Sequence, residues 1–371
     1  MLFALILLAA VALAYANGAN DNFKGVATLF GSGTTNYRRA LTWATATTLL
    51  GSLAAVLLAG TLLKNFRGKG LVPDDLSTEA AYAAAVGLGA ALTVLLATRV
   101  GMPVSTTHGL VGALVGSAFA AGADVNLSKL GNGFFLPLLA SPVLALFATF
   151  LLYPLFRAAR RKAGIGEQTC FCVGTQVVET VPAIDNTAAL QRAEQLTVTI
   201  GDTVTCQNRY AGTIVGIEAA YVLDKSHFLS AGVVSFARGL NDTPKIAALL
   251  LLAPQFTGLG ALAVVGAAIA LGGLLSARRV AETMSHRITD MNHGQGFTAN
   301  LITGAIVIAA SRLGMPVSTT HVSCGSLFGI GAVTGKGKPR MIATVLAAWV
   351  TTLPVGAALG GLCYWMTSSV P

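Results

Sequence analysis

An all-α polytopic membrane protein built from two inverted repeats is the fold class this sequence predicts. Three observations carry it: long apolar blocks, a near-identical internal repeat, and a one-sided distribution of basic residues. Hydrophobic residues make up 54% of the 371 positions and charged residues 11%, with a mean hydropathy of +0.70. A soluble domain carries about 25% charged residues. The runs 49–63, 80–97, 134–156 and 261–275 are almost wholly apolar, and with their flanks they approach the ~20 residues that a membrane span needs. The 42 glycines, with abundant Ala, Ser and Thr, suit close helix contact in lipid. Soluble architectures are thereby excluded. The net charge of +9 does not point to nucleic acid, because the basic residues lie in short clusters between apolar blocks, as at Arg38-Arg39, Arg160-Arg161-Lys162 and Arg278-Arg279.

The internal repeat sets the architecture. Arg99-Val-Gly-Met-Pro-Val-Ser-Thr-Thr-His108 returns as Arg312-Leu-Gly-Met-Pro-Val-Ser-Thr-Thr-His321, and the match continues at Gly112/Gly325, Leu114/Leu327 and Gly116/Gly329. A shorter echo precedes each copy: Gly18-Ala19-Asn20-Asp21 with Lys24, and Gly239-Leu240-Asn241-Asp242 with Lys245. Compositional bias does not produce this, since Asn-Asp, Met-Pro and His are rare in such a setting. Duplication does.

Each half reads as about five hydrophobic segments, centred on residues 3–30, 40–62, 79–98, 104–121 and 134–156, then 228–253, 257–276, 297–311, 316–333 and 340–366. Residues 1–16 are apolar and end Ala14-Tyr15-Ala16, but they lack a basic start and lead into the repeated motif. They read as a span, not a cleaved leader. An odd number of crossings per half makes the second copy enter from the opposite face. Alternate loops then place Arg38, Arg39, Arg99, Arg157, Arg160, Arg161, Lys162, Arg278, Arg279, Arg287, Lys336, Lys338 and Arg340 on one side. Lys64, Arg67, Lys69, Lys129 and Arg312 remain on the other. The positive-inside rule makes the first side cytoplasmic and both termini external. Inverted repeats of this kind are common in secondary transporters. Segments three and four of each half also fit re-entrant hairpins, whose irregular turn at membrane depth must be buried in protein or line a wet cavity. The expected domains are membrane repeat A at 1–157, a cytoplasmic insert at 158–226 and membrane repeat B at 227–371.

Residues 164–226 differ in character. They carry Glu167, Glu179, Asp185, Glu194, Asp202 and Glu218, and the β-branched stretches 197–205 and 210–217 predict strands, with Gly201-Asp202 as a turn signal. A small β-containing soluble insert is expected. Cys170, Cys172 and Cys206 lie in it, and cytosolic cysteines are normally reduced. Together with His227 they hint at a metal site, but buried thiols are the plainer reading.

Two motif pairs carry chemistry. Pro103-Val-Ser105-Thr106-Thr107-His108 and Pro316-Val-Ser318-Thr319-Thr320-His321 have the proline and hydroxyl residues of a helix start. The first N–H groups of a helix lack internal partners and carry the positive end of its dipole, which suits an oxyanion. One copy alone is explained by capping; two in mirrored positions favour a tetrahedral anion held between them. Asn20-Asp21 and Asn241-Asp242 fall in or near apolar segments, where a carboxylate costs about 3 kcal/mol or more and is a functional candidate by default. Their oxygens suit sodium, and the aspartates equally suit a proton. Lys24 and Lys245, three residues on, come beside their aspartates on a helix, either neutralising them or adding charge to the anion site. Snorkelling to the interface is the alternative. His108 and His321 are capping partners or titrating groups, and Arg99 and Arg312 face either the ion or the headgroups.

These motifs together resemble the inorganic phosphate transporter family, which includes sulfate permease relatives. The resemblance covers both membrane halves. It implies an inverted-repeat helical fold and sodium- or proton-coupled uptake of phosphate. It also implies an anion site lined by Ser105, Thr106, Thr107, Ser318, Thr319 and Thr320, with cation-coordinating positions at Asn20, Asp21, Asn241 and Asp242. Sodium at Asp21 and Asp242 follows from the same resemblance. The sequence departs from the family's Gly-x-Asn-Asp-x-Ala-Asn pattern by placing Lys24 and Lys245 where the second asparagine stands. If those asparagines help hold sodium, each ammonium takes the cation's place.

The expected function is therefore ion-coupled symport of phosphate by alternating access, in the cell (inner) membrane. The alternatives are a sulfate permease of the same fold and an anion channel. An intramembrane hydrolase using Ser105 or Ser318 with a histidine needs one site, whereas every element here is duplicated, so no enzyme and no cofactor are expected. The partners expected are phosphate or sulfate, a coupling cation and the lipid bilayer; a homodimer stays open, and nucleic acid is not a partner.

Overall fold

The structure, a computed structural model, describes residues 2–58, 70–166, 169–175, 196–202, 215–251 and 258–369. The chain divides into two compact units, Met1–Tyr153 with His227–Pro371, and Pro154–Ser226.

Of the helices, the stretches 154–162 and 219–226 belong to the second unit, and the first unit is helical. In chain order its first half supplies α1 (Leu2–Asp21), α2 (Ala27–Gly31), α3 (Tyr37–Leu58), α4 (Asp74–Ser77), α5 (Ala80–Arg99), α6 (Thr106–Ala120) and α7 (Leu127–Leu130). A π-helical turn, Gly131–Phe135, leads from α7 into α8 (Leu136–Lys162). The second half supplies α9 (Ala219–Leu250), α10 (Gly258–Ser276), α11 (Arg278–Glu282) with a π-helical turn at Thr283–Arg287, α12 (His293–Arg312), α13 (Thr319–Thr334) and α14 (Pro339–Thr367). Among the described residues, the helical stretches Phe3–Asp21, Ala80–Arg99, Leu127–Lys162, Gly258–Ser276 and Pro339–Thr367 are long and apolar enough to cross a membrane.

Helix α1 packs on α5 and α10, and α14 covers both α5 and α6. A core cluster led by Leu13, Tyr82, Leu110, Ile246 and Ile269 fills the space between these helices. The α5–α14 crossing is close because both helices present glycine: a Cβ on Gly89 would lie 2.6 Å from the Gly360 Cα. Small residues of this kind replace the hydrophobic drive that lipid does not supply.

The expected segments each contain a helix, with one break. The first segment, 3–30, is interrupted: α1 ends at Asp21 and the chain turns through residues 22–26 before α2. The turn is tied by Lys24 N–H to the Asp21 carbonyl (3.1 Å) and Val26 N–H to the Phe23 carbonyl (3.1 Å). Phe23 is buried and stacks on Tyr37 at 5.0 Å between ring centroids, so side-chain packing stabilises the broken helix. Its counterpart in the second half does not break; α9 runs to Leu250 with Pro244 inside it.

The repeated Gly-Met-Pro turns close two helical hairpins, α5–α6 and α12–α13. Gly101 and Gly314 adopt φ of 71° and 68°, the left-handed conformation in which a side chain is penalised. In each, two backbone bonds end the helix in the same way: Met102 N–H to Ala97 O (2.9 Å) with Gly101 N–H to Thr98 O (3.0 Å), and Met315 N–H to Ala310 O (2.9 Å) with Gly314 N–H to Ser311 O (3.2 Å). This is the glycine-terminated C-cap with both backbone bonds present. Both turns lead directly into the capped starts of α6 and α13.

The second unit contains a three-stranded antiparallel sheet in the order β2-β1-β3, made of β1 (Thr169–Thr175), β2 (Leu196–Asp202) and β3 (Val215–Glu218). Two corrections arise here. Gly201-Asp202, expected to turn, lies within β2 and pairs with Cys170 and Thr169. The central strand β1 was not anticipated, because Thr-Cys-Phe-Cys-Val-Gly-Thr shows only weak alternation; residues 203–214 lie outside the described set. Cys170 is a free thiol but Cys172 is disulfide-bonded, against the expectation of reduced thiols. That expectation came from the predicted compartment, whereas Cys172 is a fully buried residue of the central strand, flanked by β2 and β3.

Candidate functional site

Five described residues carry a formal charge and are buried: Asp21, Lys24, Arg238, Asp242 and Lys245. All belong to one hydrogen-bonded cluster where the two hairpin tips meet. The last residues of α1 and the C-terminal third of α9 bring the Asn-Asp motifs to it, and the starts of α6 and α13 bring the hydroxyls.

Ser105 is the N-cap of α6, its Oγ accepting from His108 N–H at 3.1 Å. Ser318 caps α13 in the same way, accepting from His321 N–H at 3.2 Å. The serines therefore do the capping and the threonines face the charges. Thr106 donates to Asp21 Oδ2 (3.1 Å) and Thr319 to Asp242 Oδ2 (3.5 Å), each within its own half. Thr107 accepts from Lys245 Nζ (2.9 Å) and Thr320 from Lys24 Nζ (2.6 Å), each across to the other half. Thr320 also donates to the Val104 carbonyl at 2.8 Å.

The lysines do not snorkel. Lys24 Nζ is surrounded by Asn20 Oδ1 (2.8 Å), Asp21 Oδ1, the Val104 carbonyl (2.8 Å) and Thr320 Oγ1. Lys245 Nζ donates to the Val317 carbonyl (2.8 Å), Thr107 Oγ1 and Asp242 Oδ1 (3.3 Å). Both ion pairs are almost wholly enclosed. The asparagines clamp the hairpin turns. Asn20 donates to Thr98 Oγ1 (2.9 Å) and the Met102 carbonyl (3.0 Å) and accepts from Val104 N–H (3.1 Å). Asn241 donates to Val317 O (3.1 Å) and accepts from Ser311 Oγ (3.4 Å).

The remaining candidates divide. His108 and His321 meet edge to face, 4.4 Å between ring centroids, and His321 lies 3.8 Å from the Trp349 ring. Trp349 Nε1 donates to the Pro103 carbonyl at 3.2 Å, fixing the first hairpin turn. Arg99 and Arg312 are exposed, as the last residues of α5 and α12 before the hairpin turns, and neither side chain is among the cluster's hydrogen-bond partners described above. His227 is buried between Thr28 (3.0 Å) and Thr34 (3.3 Å), and no group of three metal-binding side chains occurs among the described residues.

Two site residues were not anticipated from the sequence. Arg238 is fully buried and donates to Asn17 Oδ1 and Asn22 Oδ1, both at 3.3 Å. Asn17 in turn donates to Asp21 Oδ2 (3.0 Å), Thr106 Oγ1 (3.0 Å) and Asp242 Oδ2 (3.4 Å), joining the two halves. Signals for them existed. Arg238 is a charge inside an apolar segment, and Asn17 lies four residues before Asp21 on one helix face.

The fold and this cluster define a multi-pass membrane protein with a polar, charge-bearing centre enclosed between two helical hairpins. Residues 17–360 match the phosphate transporter family, and the chain belongs to that family. The inorganic phosphate transporter 2-1, chloroplastic, of Arabidopsis thaliana is 26% identical, with 96% of this chain and 71% of that protein covered. A Rhizobium meliloti protein described as a "probable low-affinity inorganic phosphate transporter" is 28% identical over 99% of this chain and 97% of its own. Among solved structures, the sodium-dependent phosphate transporter superposes over the whole of both chains with a TM-score of 0.75 at 20% identity, which speaks for the fold.

Proposed function

We propose that this chain is a secondary active transporter that carries inorganic phosphate by alternating access, coupled to a sodium or proton gradient. The observation that carries the reading is the meeting of two capped helix starts, α6 and α13, around a cluster whose hydroxyls and cations come from both halves. A helix N-terminus with Thr106 and Thr107, opposed by one with Thr319 and Thr320, offers N–H and O–H donors from two sides. That geometry fits a tetrahedral oxyanion.

Every threonine hydroxyl here already has a protein partner, so an arriving anion exchanges for bonds to the aspartates and lysines. Three of those bonds cross between the halves: Lys24–Thr320, Lys245–Thr107 and Thr320–Val104. Breaking and remaking them as two inverted repeats rock would open the site to one face at a time. Phosphate suits the site better than sulfate, because it can donate a proton to Asp21 or Asp242. The relatives support the same choice.

The one-sided distribution of basic residues favours external termini and a cytoplasmic insert. The Cys172 disulfide pulls the other way, since such bonds are rare in the cytosol. Impermeant maleimide labelling of a cysteine placed at Ser226 in sealed cells decides between them.

The test of the function is uptake of labelled phosphate and of labelled sulfate into proteoliposomes, with sodium and proton gradients imposed separately. Phosphate accumulation above the equilibrium level supports the reading. Sulfate accumulation in its place, or none of either, overturns it.

A further inference from the structure

The buried charges add up to an uneven sum. Asp21 and Asp242 contribute two negative charges, and Lys24, Lys245 and Arg238 contribute three positive ones, so the cluster carries a formal +1 before any ion enters. No carboxylate in it lacks a cation: Asp21 holds Lys24 and Asp242 holds Lys245.

The surroundings of the two ammonium groups are unusual for lysine. Four oxygens of four chemical kinds enclose Lys24 Nζ: an amide, a carboxylate, a backbone carbonyl and a hydroxyl. An ammonium has three N–H donors, so it sits there as a coordinated cation would, with more ligands than hydrogens. Lys245 Nζ has a carbonyl, a hydroxyl and a carboxylate. Side-chain oxygens combined with carbonyls from a broken helix or hairpin turn are the ligand set with which carriers take up a monovalent metal cation. Here two such sets are filled by the chain itself, in both halves, with the lysine of one half reaching the hydroxyl of the other.

We infer that Lys24 and Lys245 are resident cations that stand in for a coupling metal ion, so that transport runs without sodium and the oxyanion is taken as a monoanion. This rests on the phosphate reading above. A sodium ion entering either oxygen set would meet an ammonium already bound there, and like charges at that distance in a buried site repel strongly. A monoanion neutralises the +1 cluster, whereas a dianion leaves a buried negative charge. Dihydrogenphosphate is the matching species, and its uptake is equivalent to phosphate with a proton. Sulfate, a dianion at every ordinary pH, is the mismatch.

The experiment has two readouts. Initial phosphate uptake into proteoliposomes is compared in sodium chloride and in N-methylglucamine chloride, across a pH series at constant total phosphate. In parallel, thermal unfolding of the detergent-solubilised protein is measured with and without sodium, for the natural chain and for Lys24→Asn/Lys245→Asn. The natural chain should show less than about a twofold sodium effect on rate and a higher rate at acid pH. The double variant alone should be stabilised by sodium, through mass action on a vacated oxygen set. A fall of about tenfold in uptake without sodium, or equal sodium stabilisation of both proteins, overturns the inference. Absence of any phosphate uptake would sink the transport reading while leaving the sodium-stabilisation comparison to decide this one. A double variant too unstable to purify leaves the natural chain's sodium response as the deciding measurement.

Discussion

Asp21–Lys24 and Asp242–Lys245 make the same connections from two different backbones. In the first copy α1 stops at Asp21 and the chain turns through residues 22–26; in the second α9 continues past Lys245 with Pro244 inside it. Proline removes one helical hydrogen bond and loosens the turn before it, but does not break this helix. Each lysine still reaches its own aspartate, the valine carbonyl of its own hairpin and a threonine of the other half. The two motif copies therefore share the wiring on different backbones. The copies are also unequal. Contacts at Asp21 are the shorter ones, and the position matching Asn17 is Arg238, which places a third cation in the second half only. The first copy is the tighter clasp, and the second the more highly charged.

Removing one carboxylate at a time should break this comparison most visibly. Deleting one partner of a buried ion pair costs about 3–5 kcal/mol, so Asp21→Asn and Asp242→Asn should each abolish uptake and lower thermal stability. Asp21→Asn should do more damage, because Asp242 has the longer contacts; equal losses would mean that the asymmetry carries no energy. Next come the cross-half bonds. Thr320→Val and Thr107→Val each remove a hydrogen bond to a cation, worth about 1.5–3 kcal/mol, and Thr320 should again be the more costly in thermal unfolding. Arg238→Gln makes the two copies nearly alike. It should raise the phosphate KM about tenfold, roughly 1.4 kcal/mol, with a smaller change in kcat; an unchanged KM would remove Arg238 from the anion's field. Smallest are the caps. Ser105→Ala and Ser318→Ala should each cost about 1 kcal/mol with uptake largely retained, and loss of uptake there would show that the serines touch the anion.

Much of this was legible in the sequence because the repeat is internal. Two copies of Pro-Val-Ser-Thr-Thr-His and of Asn-Asp single out twelve positions without reference to any other chain; the structure joins the asparagines, aspartates, lysines and threonines among them in one hydrogen-bonded cluster, while Ser105 and Ser318 cap the helix starts beside it. Their roles were less legible. Ser and Thr are interchangeable as capping signals on paper, and only the extended backbone at Ser105 and Ser318 (φ −95° and −98°) makes the serines the caps and leaves the threonines to the charges. Arg238 and Asn17 were missed because they occupy matching positions yet differ in type, so a search for identity passes over them. Strand β1 was missed because its pairing with β2 and β3 depends on partners far along the chain, which local alternation does not report.

In the function proposed, both halves hold one phosphate and present it to each side in turn. Trans-stimulation tests this most directly: entry of labelled phosphate is timed into proteoliposomes preloaded with unlabelled phosphate or left empty. A carrier of this kind should take up label several times faster into the preloaded vesicles, and Thr106→Val/Thr319→Val should lose that acceleration. Entry at the same rate into both would contradict alternating access and describe an open pore.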